Sequence, residues 1–149
     1  MPDLRTSLVA HLKANTTLAA LVSTRVYSWT LPEAAWSGTM PCIVVNRLDV
    51  NALKTTGGAR DLANTLWQID VYGATSTSMD AAADAVRNAL DGYRGDIGTV
   101  ASGKVFAQRC HSVGQVDELL PPESGQSDSR YRCIFTFEID SYIAVPTLA

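Results

Sequence analysis

Apolar and polar positions alternate over residues 67–72, and this period of two predicts a β-strand. Trp67, Ile69 and Val71 share one face of that strand, and the residues between them share the other. The strand ends at Gly73, where the pattern changes. We therefore expect a strand with one core-facing side in the middle of the chain.

The apolar positions that follow recur every three or four residues, which predicts an amphipathic helix. The apolar stripe of this helix consists of Met79, Ala82, Ala83, Val86 and Leu90. Ser76, Thr77 or Ser78 can cap its start, and Gly92 can adopt the left-handed conformation that ends a helix. The strand, turn and helix form a well-specified scaffold, but they bring no reactive groups together.

The first third of the chain predicts two helical stretches and two strands. Residues 2–14 carry leucines every four positions, typical of an amphipathic helix, and residues 18–22 continue as a further turn of helix. Residues 25–27 predict a short strand. Residues 42–48 are almost continuously apolar and β-branched, which is typical of a central strand.

The segment from residue 49 to residue 64 is polar around two adjacent glycines, Gly57 and Gly58. Two glycines between extended flanks favour a hairpin turn, which would make the segment an arm that carries Lys54 and Arg60 beyond the sheet. A mobile surface loop is the alternative, and the sequence does not choose between them. A phosphate-binding loop is a third alternative that the sequence disfavours, because the Lys-Ser/Thr pair of such a loop is missing.

The last third predicts two strands joined by a loop. Residues 104–116 have strand character, and residues 117–130 contain paired prolines and small polar residues typical of a loop. Residues 131–140 then alternate between an apolar and a polar face. One polar face indicates that helices cover only one side of the sheet.

Together these elements predict an α+β fold. We expect a mainly antiparallel sheet of four to five strands, two helices packed on one face, and long hairpin arms. A chain of 149 residues is long enough to bury a core, and we expect one domain over residues 1–149. No apolar run approaches the ~20 residues of a membrane span, and the N-terminus lacks a signal-peptide pattern, so we expect no membrane contact and assembly in the cytoplasm.

The charge pattern bears on nucleic-acid binding. The net charge is −3, and the basic residues are scattered along the chain. Folding could gather Arg47, Lys54, Arg60 and Arg109 into one patch. However, nucleic-acid binders usually carry a strong basic footprint, so the charge argues against direct binding of nucleic acid.

The candidate chemistry is sparse. Cys42, Cys110 and Cys133 lie in strand-like runs without a Cys-x-x-Cys pair, and we expect them to be reduced and buried. Cys110 and His111 point to opposite faces of a strand and cannot act together as nucleophile and base. We expect no metal site, no cofactor and no enzymatic activity, because no catalytic motif is present.

The order of elements resembles the tail completion or tail terminator proteins of long-tailed bacteriophages. The resemblance extends from Leu4 to Tyr142. The segments that carry it are the Leu-rich first helix with LAALV, Arg25-Val26-Tyr27, Leu31-Pro32, Pro41 before Ile43-Val44-Val45, the strand from Trp67 to Gly73, the alanine-rich helix ending Leu90-Asp91-Gly92, and the alternating final strand. Cys42 departs from this pattern, since an aromatic residue is expected after the proline.

This resemblance implies a structural virion protein that acts at the head-proximal end of the tail. Such proteins form a six-membered ring that ends polymerisation of the tail tube and joins the neck, so the implied partners are other copies, the tail tube protein and a neck or head connector protein. A ring needs unlike surfaces to meet, and long arms suit that task. The expected interface residues are Asn51, Lys54, Thr56, Arg60, Asp61, Leu119, Leu120 and Glu123.

Two other classes of function stay open from the residues. A head–neck connector or head completion adaptor could have a similar order of elements and a similar hydrophobic pattern. A small α+β ligand-binding or enzymatic domain is the third class, although no polar residue belongs to a recognisable catalytic motif.

Overall fold

The computed structural model describes residues 4–32, 40–55, 58–120 and 130–142, with the backbone alone for residues 51–55, 58–62 and 142. These residues form an α+β fold with a curled mixed sheet. The elements are α1 (Leu4–Ala14), α2 (Thr16–Val22), β1 (Val26–Ser28), β2 (Cys42–Thr55), β3 (Gly58–Gly73), α3 (Ser76–Leu90), β4 (Gly95–Thr99), β5 (Gly103–Leu120) and β6 (Arg130–Tyr142).

The sheet has the order β1-β2-β3-β6-β5-β4. β1 pairs with β2 in parallel, and the other neighbours pair antiparallel. The prediction of a mainly antiparallel α+β sheet is confirmed. The predicted numbers of four to five strands and two helices were too low, because the described part of the chain has six strands and three helices.

Two elements account for this difference. β4 was not predicted, since Gly95 and Gly98 occupy two of its five positions and glycine disfavours strands. The turn of helix expected at residues 18–22 is a separate helix, α2. It is separate because Asn15 caps it: the Asn15 side chain accepts a hydrogen bond from the Leu18 amide at 2.9 Å.

The core lies between one face of the sheet and the three described helices. The buried stripe predicted for α3 is confirmed, and leucines of α1 and α2 join it. The sheet contributes Ile43, Val45, Trp67, Ile69, Val71, Cys133, Phe135, Phe137 and Ile139. This list includes the predicted apolar sides of β3 and β6, so the face that the helices cover follows from the alternation in the sequence.

The connection from β3 to α3 is tight. Thr75 caps α3, one residue before the predicted candidates, and it forms a capping box with Ser78: the Ser78 amide donates to the Thr75 hydroxyl at 3.1 Å. A Cβ on Gly73 would lie 2.7 Å from the Met79 nitrogen, so only glycine fits between strand and helix. Gly92 ends the helix with φ of +79°, as predicted.

The hairpin alternative for residues 49–64 is confirmed. β2 and β3 remain paired as far as Thr55 and Gly58. Residues 56 and 57, between these partners, lie outside the described residues. β6 pairs with β3 only from Leu62 onward, so the hairpin is two-stranded beyond Ala52 and Leu62. We call residues 51–55 with residues 58–61 the first arm.

The loop predicted over residues 117–130 is shorter than expected. Residues 117–120 belong to β5 and pair with residues 130–133 of β6, so the prediction was wrong for Leu119 and Leu120. We call residues 113–120 with residues 130–136 the second arm. Residues 121–129 lie outside the described part of the chain. In the described residues, no helix is long and apolar enough to cross a membrane.

Candidate contact surfaces

The two arms lie at opposite ends of the sheet. The first arm ends where Thr55 pairs with Gly58, and the described part of the second arm ends near the other end of β3, where Gly73 pairs with Tyr131. Fifteen residues separate Gly58 from Gly73, which corresponds to roughly 50 Å at ~3.3 Å per strand residue. The structure therefore does not bring the two predicted contact segments together within one subunit.

The predicted contact residues distribute over these arms. Asn51 and Lys54 lie on β2, Arg60 and Asp61 lie on β3, and Leu119 and Leu120 lie at the end of β5. Thr56 and Glu123 lie outside the described residues. Leu119 has 60% of its surface exposed, so its apolar side chain is available to a partner.

The second arm exposes two further apolar residues that sequence reasoning did not single out. Val113 and Val116 are 49% and 59% exposed. Both fall in a predicted strand, where a valine is normally taken as a core residue. Their spacing in the sequence was the available signal. Core-facing residues of a strand recur every two positions, so two valines three positions apart cannot both belong to one regular core-facing series.

The outer face of the sheet, opposite the helices, carries a buried ion pair. The Asp70 carboxylate is 4% exposed and accepts a hydrogen bond from Arg132 Nη2 at 2.7 Å. Gln68 Nε2 also donates to Asp70, at 3.0 Å, and Arg132 Nη1 donates to Glu118 at 3.0 Å. We call these four residues the Asp70 cluster.

The charges in this cluster reinforce one another. Burial alone would lower the pKa of Arg132, but its hydrogen bond and charge contact with Asp70 raise that pKa overall. The guanidinium also lies over the Tyr72 ring, 5.6 Å from the centroid. Arg132 therefore joins β3, β5 and β6 within the second arm, near the pair Leu120 and Arg130.

A cavity of about 310 Å³ borders the Asp70 cluster. Val44 and Asn46 of β2 line one side, and Trp29 and Leu31 line another. Trp29 has φ of +74° and is 64% exposed, with the Arg5 guanidinium 4.0 Å from its ring centroid. The charged lining groups already pair with each other, so this cavity offers a shaped surface and no reactive group.

A second polar network lies on β3, β5 and β6. Arg109 contacts Glu138 at 3.1 Å and Asp140 at 3.0 Å, and Asn64 donates to both carboxylates at 2.6 Å. The Arg109 side chain is 58% exposed, so these surface pairs contribute little to stability. They do neutralise Arg109, one of the four bases considered for a nucleic-acid patch.

The cysteines are buried, as predicted, and free. Burial raises the pKa of Cys110 and of Cys133 to about 12, which makes both thiols poor nucleophiles. Cys110 lies in the core, whereas His111 lies on the outer face with Nε2 3.5 Å from Glu138. Among the described residues, no three His, Cys, Asp or Glu side chains form a metal-binding group.

These features define a class of protein: a helix-backed sheet with two arms at opposite ends and no reactive site among the described residues. Residues 6–119 match the family described as tail completion protein gp17, and the protein belongs to this family. It is a structural protein of the virion, with a role in the phage tail or head–tail region, and it is not an enzyme.

A solved structure shows the same fold. It is a chain from a structure described as the virion of a native gene transfer agent (GTA) particle, with a TM-score of 0.64 and 22% sequence identity. The similarity covers 92% of this protein and 93% of that chain. No curated protein matches the sequence.

Proposed function

We propose that the protein forms a six-membered ring on the head-proximal end of the tail tube. There the ring stops tube polymerisation and provides the surface that joins the tail to the neck. Membership of the tail completion protein gp17 family is the observation that carries this proposal. The whole chain, residues 1–149, acts as one tail-terminator-like domain.

The position of the arms supports a ring. A cyclic assembly of identical subunits joins one surface of a subunit to a different surface of the next. The two arms supply unlike surfaces at opposite ends of one sheet, and the second arm exposes Val113, Val116 and Leu119. The first arm extends beyond the sheet and can reach a neighbouring subunit or the tube, whereas the second arm presents a sheet edge.

The contacts of the ring fall on the arms. Other copies, the tail tube protein and a neck or head connector protein are the partners, and the contact residues are Asn51, Lys54, Thr56, Arg60, Asp61, Leu119, Leu120 and Glu123. Leu119 and the basic pair Lys54 and Arg60 are the most informative to change, because each has a matched control elsewhere in the chain.

Electron microscopy of particles lacking this protein tests the function. Overlong or unjoined tails support tail termination. Filled heads that leak, with tails of normal length, would instead identify a head–neck connector and overturn the proposal. Normal particles with loss of a measurable reaction would point to an enzymatic or ligand-binding domain.

Substitutions in the arms test the contact residues. Leu119→Ala, and Lys54→Ala combined with Arg60→Ala, should leave the subunit folded and reduce ring formation roughly tenfold or more, the loss expected for a contact worth ~1.4 kcal/mol or more. Val100→Ala and Lys13→Ala are the controls, since Val100 is 89% exposed and both lie outside the arms. Native mass spectrometry counts the rings. Equal ring formation by arm variants and controls would refute these contacts.

A further inference from the structure

The edge of β5 that faces away from β6 is covered by different elements along its length. β4 pairs with β5 only from Gly103 to Ala107. The end of α3 then covers the next stretch: the Gly92 amide donates to the Cys110 carbonyl at 2.8 Å, and the Ser112 amide donates to the Asp91 carboxylate at 3.0 Å. From residue 113 to residue 120, no described strand pairs on this side.

The register shows which backbone groups face this open edge. The Cys110 carbonyl and the Ser112 amide point away from β6, toward α3. A bulge between Ser112 and Gly114 adds one residue and shifts the alternation. The residues that turn their N–H and C=O outward beyond the bulge are therefore Gln115, Asp117 and Leu119.

β2 has an open edge on the opposite side of the sheet. β1 covers it only at residues 43–45, and the Trp29 amide ends this contact by donating to the Val45 carbonyl at 3.2 Å. No described strand pairs on this side from residue 47 to residue 55. The bulge after Arg47 shifts the alternation here as well, so Val50 turns its N–H outward. There it donates to the Asp49 carboxylate of the same copy at 2.8 Å, a contact on the exposed edge that an incoming strand would replace.

The two open edges complement each other. Residues 113–120 include two acids, Asp117 and Glu118, and no base, although Glu118 already pairs with Arg132 of the same copy. Residues 47–55 include two bases, Arg47 and Lys54, and one acid. Both edges also expose aliphatic side chains, with Leu48 51% and Val50 40% exposed on β2. Opposite charge and shared apolar character favour pairing of one edge with the other.

Strand direction is also compatible. The antiparallel pairs β2–β3, β3–β6 and β6–β5 make β5 run opposite to β2. Residues 113–120 lie level with residues 68–73 of β3, whereas residues 47–55 lie level with residues 58–67. If a second copy in the same orientation is displaced along the strands by this offset, roughly 25–30 Å at ~3.3 Å per residue, and approaches edge to edge, its β2 therefore meets β5 in antiparallel fashion. This contact joins unlike edges, as successive subunits of a ring require.

We propose that residues 113–120 of one copy pair with residues 47–55 of the next copy as neighbouring antiparallel strands. This inference rests on the proposed ring and names the interface that builds it. Main-chain hydrogen bonds provide the contact, and the charges at Asp117 and Lys54 favour unlike over like edges.

Proline substitutions test this pairing directly. Asp117→Pro and Val50→Pro each remove one outward N–H, at edge positions where proline is tolerated in a strand. Each variant alone should self-associate roughly tenfold or more weakly than wild type. Asp117→Ala is the matched control for Asp117→Pro, because it removes the carboxylate but keeps the N–H, and its loss should be smaller.

Mixing the two proline variants tests whether the strand that pairs with each open edge comes from a second copy of the protein. Asp117→Pro keeps an intact β2 edge, and Val50→Pro keeps an intact β5 edge, so the mixture can form one interface and should stop at a heterodimer in native mass spectrometry. Circular dichroism confirms that each variant is folded. Asp117→Lys, which keeps the N–H and places a base opposite a basic edge, provides a second test that should also weaken association.

The outcomes separate this interface from the ring itself. If wild type forms rings and the Asp117 variants form them equally well, the pairing is overturned and the proposed function stands. Rings that fail in each proline variant but yield no heterodimer on mixing also overturn the pairing. Wild type that stays monomeric at high concentration and on isolated tail tubes overturns both.

Discussion

Replacing Arg132 with methionine should destabilise the fold by removing the partner of a buried carboxylate. Asp70 is 4% exposed, and in the variant Gln68 alone still donates a hydrogen bond to it from the Asp70 cluster. Methionine keeps much of the length of the arginine stem and removes the charge. The variant therefore isolates the loss of the ion pair from the loss of packing.

The structure sets the size of the effect. Removing one partner of a fully buried pair costs about 3–5 kcal/mol, and the Arg132 side chain is still 24% exposed, so we expect the lower end, about 3 kcal/mol. The contact with Glu118 adds little because Glu118 is 38% exposed. For a chain of this length, that loss lowers Tm by about 6–12 °C.

A double-mutant cycle checks this reasoning. Asp70→Asn introduced into the Arg132→Met variant removes the unpaired charge, so the double variant should be more stable than Arg132→Met alone. Urea unfolding and thermal unfolding at neutral pH, both followed by circular dichroism, give the four free energies of unfolding and the Tm values. A Tm for Arg132→Met within about 2 °C of wild type, or a double variant below the single one, would refute the argument.

Two further predictions concern the scaffold. Gly73→Ala should lower the free energy of unfolding measured in urea by about 1–3 kcal/mol, since the new Cβ meets the backbone of Met79. Gly114→Ala, whose new Cβ would have nothing within 4 Å, should change it little. Burial lowers the pKa of His11 below 6.5, so the unfolded chain binds a proton at this residue more readily than the folded protein does. The free energy of unfolding should therefore fall as the pH drops through 6.5 toward the lower pKa of the folded state. In urea titrations, the His11→Gln variant should lose less stability than wild type between about pH 8 and about pH 5.

Much of the scaffold could be predicted from sequence because its local signals agree. The alternation around Trp67 and Phe135 and the stripe that begins at Met79 each assign the core-facing side without any tertiary information. Thr75 was missed as the cap of α3 because three neighbouring hydroxyl residues give the same signal. Only the capping-box geometry with Ser78 distinguishes them.

The strand conformation of residues 117–120 could not be predicted from the sequence, because it depends on pairing with β6. An acidic pair followed by two prolines favours a loop, so the strand prediction stopped at Val116. In the folded protein, β6 begins at Arg130 and pairs with the end of β5, and Arg132 binds Glu118 across the two strands. This cross-strand pairing is a tertiary effect that local propensity does not contain.

β1 has only three residues, and its shortness has a consequence for assembly. By occupying the β2 edge at residues 43–45, it leaves a defined starting point for any strand that adds beyond it. An incoming strand cannot slide along β2 past Val45, so β1 acts as a stop that limits the possible registers. Under the proposed pairing, extending β1 by a few residues would shorten the docking edge, whereas deleting it would allow slipped and irregular polymers.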